Sequence, residues 1–386
     1  MPPVWKLKRE LIRLASQTRD LPRRVLECHA RKKYDSVRWD NIRISGASEA
    51  QTSKYCILLV FQPAELPASL IRTCEFMKTK GYNVIVVANG GLRVSAREQV
   101  LTSAWRLLER PNFGYDFGGM RDAIHYLQEQ QVSPTKLALM NDSIWFPMWT
   151  GSDVIERLEC SGCDVTGLLL HVPTRNEYPN HMAQSRPLSK RAEHIESYLT
   201  MVSAKAYDDP AFAQFWATYE QTNSKILTIK RGEVGFSRAM ENAGLTVGAL
   251  SRRWLFLQEI KTRSDRFIEQ TLRYAAYSDA HFERESVALL AAPRDGTWRD
   301  DALEHIEDVV RARRFNVSFC WATEQIFQTA FLKKNIDRLF RIGRIRFLEG
   351  VDNGDILCDN LEALAELRTI TEIDRVKVPE NTWSPR

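Results

Sequence analysis

Tyr55-Cys-Ile-Leu-Leu-Val-Phe61 and Tyr82-Asn-Val-Ile-Val-Val-Ala-Asn89 are two apolar runs separated by a helical pattern over residues 66–80 that Gly81 closes. Runs of this length without polar alternation predict strands buried on both faces, and the strand, helix, strand order predicts a parallel pair. Working outward, helices are predicted over residues 95–109 and 119–129, then a strand over 136–140. A helix over 153–160 and a strand over 164–170 continue the rhythm. A polar loop spans 171–191, and loops of that length are usually functional. Residues 195–204 read as a strand, 210–221 as a helix opening on a proline, 225–229 as a short strand, and 233–241 as a helix stopped by Gly244. The fold class is therefore α/β: a Rossmann-like, mostly parallel sheet with helices on both faces. Beyond residue 250 the rhythm fades, and from about residue 300 the chain reads as mainly helical.

The 386 residues, 44% apolar and 27% charged, are ample for a large core, which excludes a disordered or collagen-like chain. Three parts are predicted: a basic helical segment (1–51), an α/β domain (52–260) and a helical C-terminal extension (261–386). The polar stretch Ser45-Gly-Ala-Ser-Glu-Ala-Gln-Thr-Ser53 marks the first boundary. Net charge is +5, but it is unevenly distributed: residues 1–46 carry twelve basic and five acidic side chains, leaving the rest of the chain slightly acidic. That balance gives no nucleic-acid signature. Seven cysteines without a framework spacing predict reduced thiols and a cytoplasmic protein. Cys160-Ser-Gly-Cys163 has metal-site spacing, but the chain has no second pair, so both are read as structural thiols.

In open α/β sheets ligands bind beyond the carboxyl ends of the strands. Two clusters lie there. Arg110-Pro-Asn-Phe-Gly-Tyr-Asp-Phe-Gly-Gly-Met-Arg-Asp122 holds three glycines leading into a helix N-terminus, which suits an anion or, equally, a tight turn. Asn141-Asp142-Ser143 comes directly after a buried strand, where a carboxylate can hold Mg²⁺ or Mn²⁺ or can cap a helix. Neither is a Walker or dinucleotide fingerprint.

Taken in order, these clusters, then Asp164-Val-Thr-Gly167, His194-Ile-Glu-Ser-Tyr-Leu199, Phe212 to Trp216 and Glu233-Val-Gly-Phe-Ser237, resemble the rhamnan-synthesis F family of bacterial polysaccharide glycosyltransferases, over roughly residues 55–250. The resemblance implies an A-type glycosyltransferase-like fold. It also implies transfer, with inversion, of L-rhamnose or another deoxyhexose from a nucleoside-diphosphate donor to a cell-surface polysaccharide or lipid-linked glycan. It implies donor binding by Asn112, Gly114 and Asp116, and Asn141-Asp142-Ser143 in the place of the metal motif, with Asp142 on Mg²⁺ or Mn²⁺. Glu233 matches the general base. Arg110, Arg121 and the helix start at Gly118 are expected to stabilise the diphosphate, and His181, His194 and Glu196 to meet the acceptor. The chain departs from the pattern by supplying one carboxylate at Asp142 and Glu at 196 in place of Gln. The single carboxylate motivates an alternative, a non-catalytic glycan-binding or assembly protein on a degenerate transferase fold. Two basic amphipathic segments, residues 6–24 and 327–348, suit an anionic membrane surface, which predicts peripheral attachment at the inner face of the cell membrane.

Overall fold

The structure, a computed structural model, describes residues 26–47, 49–61, 66–172 and 193–378. Its sheet is built from Arg43–Gly46 (β1), Lys54–Val60 (β2), Tyr82–Asn89 (β3), Arg106–Arg110 (β4) and Lys136–Asn141 (β5). After Ile144–Trp145 (β6) come Val165–His171 (β7), His194–Ile195 (β8), Leu199–Ser203 (β9) and Val247–Ser251 (β10). The order is β1-β4-β3-β2-β5-β9-β7-β10, with β8 added to β7. The run β4-β3-β2-β5 is parallel, as is β7 with β10, whereas β9 lies antiparallel between β5 and β7.

The apolar runs behave as their composition requires. Along β2 and β3, Cys56, Leu58, Val84 and Val86 face one core and Tyr55, Ile57, Ile85 and Val87 face the other. The second core is closed by the helices Tyr115–Glu129, Pro210–Thr218 and Val234–Asn242. The first holds Ala68–Thr79 together with the C-terminal helices, so Phe256, Ile306, Phe319 and Leu367 share a core with the sheet. Leu332–Lys333 (β11) pairs antiparallel with β6, tying the C-terminal part to the segment that leaves β5. The N-terminal side joins the same body: β1 extends the sheet, and Tyr34 and Asp35 reach Asp122 and Arg121.

Several expectations change. Residues 106–110 form β4 and not the end of a helix: Val94–Leu101 is the helix, and Glu109 is satisfied by Arg97 and the Leu92 N–H. Residues 225–229 are helical and not a strand, with Ile226 left exposed. Residues 195–204 are not one strand: β8 and β9 are separated by a break at Glu196–Tyr198. The segment 327–348 also does not offer a membrane face. Helix Arg338–Asp352 buries Phe340, Ile345 and Phe347, and its Arg341 and Arg344 pair with Asp374. Residues 6–24 and His181 lie outside the described residues. Among the described residues, no helix is long and apolar enough to cross a membrane.

Candidate active site at the carboxyl end of the central strand

β5 ends in the middle of the sheet, and side-chain contacts fix the turn that leaves it. Asn141 Oδ1 accepts from the Ser143 N–H at 3.2 Å and from the Ser143 hydroxyl, so Asn141-Asp142-Ser143 forms an Asx-type turn into β6 and no helix cap. Asn141 Nδ2 donates to Ser197 O at 3.0 Å and to Asp116 Oδ2 at 3.2 Å. Because β9 runs antiparallel to β5, its entry turn sits at this same end, and Ser197 is delivered there by the break between β8 and β9.

Glu233 arrives from the opposite side. It closes a five-residue π-helical segment, Ile229–Glu233, in which the Val234 N–H reaches back to Ile229 O. Such insertions re-aim a helix and recur at functional sites. Gly232 makes the approach possible: a Cβ there would lie 2.6 Å from the Phe117 ring. Glu233 Oε1 accepts from the Ser197 hydroxyl at 2.7 Å, and the same hydroxyl lies 3.3 Å from Asp116 Oδ2. Glu233 Oε2 is 3.2 Å from His194 Nε2. Burial, with the Glu233 charge adding to it, pushes the Asp116 carboxyl up to about 6. Two carboxylates meeting across one serine hydroxyl, with a small cavity lined by Phe117, Ile195, Ser197, Thr200, Glu233 and Phe236 beside them, are arranged to exchange a proton with a bound hydroxyl group.

The glycine cluster takes the second of its two expected forms, a tight turn into a helix start. Gly114 adopts φ +85° at the helix start, a Cβ at Gly118 would stand 2.5 Å from Phe113 O, and one at Gly119 would strike Leu59 Cδ1. These glycines admit the chain's own atoms. The helix N-terminus is also partly used, since Asp116 Oδ1 accepts from the Phe117 N–H.

Neither arginine reaches the cluster. Arg110 is buried, donating to Asp122 Oδ2 at 2.6 Å, to Asn89 Oδ1 and to Phe113 O. Arg121 binds Asp35 and Trp216 O. Asn112 is exposed in the preceding loop. Glu196 is buried, and Arg314, Lys333, Tyr198 and His171 surround its carboxylate. Burial alone would raise its pKa, but the Arg314 and Lys333 charges hold it well below the usual carboxylate range. These contacts replace the open, acceptor-facing side chain that was expected.

Asp142 accepts from the Phe61 N–H at 3.0 Å, with Ser69, Thr73 and Lys334 lining the same recess. Among the described residues no group of three or more His, Cys, Asp or Glu side chains is arranged to hold a metal. Asp142 alone is a sparse donor for a hard divalent ion, so Mg²⁺ or Mn²⁺ fits here only if a diphosphate supplies further oxygens. Sequence reasoning missed Ser197, Arg314 and Lys333. Ser197 stood inside the His194–Leu199 motif, Lys333 inside the basic segment 327–348 read as membrane-facing, and only Arg314 carried no local signal.

All the residues of the Asp116–Asn141–Ser197–Glu233 cluster fall in one stretch that matches a known family. Residues 84–251 match the rhamnan synthesis protein F family. Arg314 and Lys333 lie outside the rhamnan synthesis F match. Over 350 residues the chain is 27% identical to an uncharacterized protein of Sinorhizobium fredii, y4gN, covering 89% of this chain and 87% of that one. Among solved structures it is similar to core-mannan synthase A from Aspergillus fumigatus in its Mn/GDP form, with 10% identity, 53% of this chain and 74% of that chain covered, and a TM-score of 0.32. A mannosyltransferase from Pyrobaculum calidifontis in complex with GDP-Man and Mn²⁺ is 10% identical, with 92% and 94% coverage and a TM-score of 0.29.

Proposed function

We propose that this protein is a nucleotide-sugar glycosyltransferase whose reaction centre is the Asp116–Asn141–Ser197–Glu233 cluster. The observation that carries the reading is the aim of Glu233. A π-helical insertion, a glycine and a serine hydroxyl hold its carboxylate at the carboxyl end of the central strand, inside the stretch that matches rhamnan synthesis protein F. Glycosyl transfer needs a base within hydrogen-bond reach of the acceptor hydroxyl and stabilisation of the leaving diphosphate. Glu233 is the base. The acceptor oxygen attacks the anomeric carbon as its proton moves to Glu233, and the bond from that carbon to the diphosphate oxygen breaks with inversion. Asn141 and Ser197 orient the groups around the reacting hydroxyl. Asp142 is the residue that would hold a Mg²⁺ or Mn²⁺ ion together with the donor, and such an ion would supply neutralising charge for the leaving group.

The donor sugar is a deoxyhexose such as L-rhamnose and the acceptor a surface polysaccharide or lipid-linked glycan, a reading supported by the family alone. Peripheral attachment to an anionic membrane then rests on residues 6–24, and co-sedimentation with anionic but not neutral liposomes tests it. The enzyme reading itself is tested with a panel of nucleotide sugars: donor-dependent product supports it. Glycan binding without any nucleotide effect would favour the assembly-protein reading instead.

A further inference from the structure

Glu233 is one end of a chain of ionisable groups that crosses two strands. β7 and β8 pair so that His171 stands opposite His194, and their ring centroids are 4.8 Å apart. Each imidazole has its own carboxylate: His194 Nε2 lies 3.2 Å from Glu233 Oε2, and His171 Nδ1 lies 3.4 Å from Glu196 Oε1. Both rings are largely buried. The two ends differ in charge. On the His171 side, Glu196 meets Arg314 and Lys333, leaving a net positive surrounding. On the His194 side, Glu233 and Asp116 are both acidic.

We infer that His194 is the positioning residue of the base and the group that holds the abstracted proton, an inference that rests on Glu233 acting as that base. The acceptor O–H proton moves to Glu233 while the new glycosidic bond forms and the diphosphate departs with its electron pair. The proton then passes from Glu233 to His194 Nε2, which restores the Glu233 carboxylate beside an imidazolium. Two stacked imidazoles cannot both carry charge cheaply, and on the His171 side the Glu196 charge is already shared with Arg314 and Lys333. The single proton is therefore directed to His194, where Glu233 and Asp116 supply compensating charge. His171 packs against the back of the His194 ring, and Glu196 Oε1, 3.4 Å from His171 Nδ1, holds that second ring.

The test uses His194→Gln, which keeps an amide donor toward Glu233 but cannot accept a proton, with His194→Asn as the second variant should the longer amide disturb folding. The expected result is a roughly 10- to 100-fold fall in kcat with the donor KM within about 2-fold, on the scale of general acid–base contributions. The low-pH limb of kcat/KM is expected to move, because the imidazole that shares the abstracted proton with Glu233 is gone. His171→Gln should cost less than about 3-fold. Wild-type kcat and an unmoved limb in His194→Gln would overturn the inference. Glu233→Gln is measured beside it: normal turnover there removes the base reading itself, whereas an inactive Glu233→Gln with an unaltered His194→Gln removes only the dyad.

Discussion

Arg110 was expected to face a donor diphosphate, and its placement yields a sharp alternative. Its side chain and that of Asp122 are both 0% exposed, with Nε 2.6 Å from Oδ2. Removing one member of such a pair strands a buried charge, at about 3–5 kcal/mol. The two single substitutions should nonetheless differ. Asp122 also meets Arg38 Nε at 3.5 Å. Since Coulomb energy falls inversely with distance, that contact is about three quarters as strong as the one lost, so Asp122 keeps a counter-charge after Arg110→Met. Asp122→Leu leaves the buried Arg110 without its counter-charge, whereas Arg38 keeps Asp35 at 2.9 Å. Arg110→Met should therefore cost about 2–3 kcal/mol and Asp122→Leu about 4–5 kcal/mol. The double variant should cost clearly less than their sum, since no lone charge is left at the pair. Urea unfolding monitored by tryptophan fluorescence measures all three. Donor KM, taken well below the unfolding midpoint, should change little in Arg110→Met. A variant of near wild-type stability with donor KM raised about 10-fold or more would refute this reasoning and return Arg110 to the donor.

The same geometry carries other expected outcomes. The Asp116 carboxyl titrates at about 6 when folded against 3.8 for a free aspartate, so between those values the folded state holds a proton that the unfolded state releases. Stability must then fall as pH rises from about 4 to about 6, by up to about 3 kcal/mol and by less to the extent that solvent screens this partly exposed side chain. Asp116→Asn should gain stability relative to wild type across that window in thermal melts at stepped pH; a constant difference would show that Asp116 is not perturbed. Gly232→Ala drives a methyl group into the Phe117 ring and should cost about 1–3 kcal/mol and displace Glu233, so turnover should fall further than the melting temperature predicts. Normal kcat in that variant would mean that the π-helical segment does not aim the base. Because Asp142 is the lone carboxylate of its turn, Mn²⁺ alone should leave the melting temperature unchanged, whereas Mn²⁺ with a nucleoside diphosphate should raise it. A shift with metal alone would reveal a complete protein site.

The central strands were legible because Tyr55–Phe61 and Tyr82–Asn89 are apolar on both faces, a pattern few other environments tolerate. That the matched motifs meet at the carboxyl end of β5 was legible from their order, and Glu233 reaches that point through the Ser197 hydroxyl. The illegible features depended on partners distant in sequence. Arg106-Leu-Leu-Glu-Arg110 has good helix formers, yet pairing with β3 and β1 makes it a strand, with Arg97 neutralising Glu109. Residues 225–229 look β-prone but wind into a helix that leads into the π-helical segment. Glu196 read as an acceptor contact because nothing nearby in sequence announces Arg314 and Lys333, which reach it only through the β6–β11 pairing and the shared core. The glycines of the 110–122 stretch were rightly seen as permitting close approach, but the atoms approaching are Phe113 O and Leu59 Cδ1.

The central claim, that Glu233 is the base of a sugar-transfer site at the carboxyl end of β5, is tested most directly by turnover of nucleotide sugars with wild type and Glu233→Gln, each checked for stabilisation by the nucleoside diphosphate. Glu233→Gln should keep the nucleotide-induced thermal shift and lose about 10²- to 10⁴-fold in kcat. Turnover within a few-fold of wild type in Glu233→Gln would contradict it.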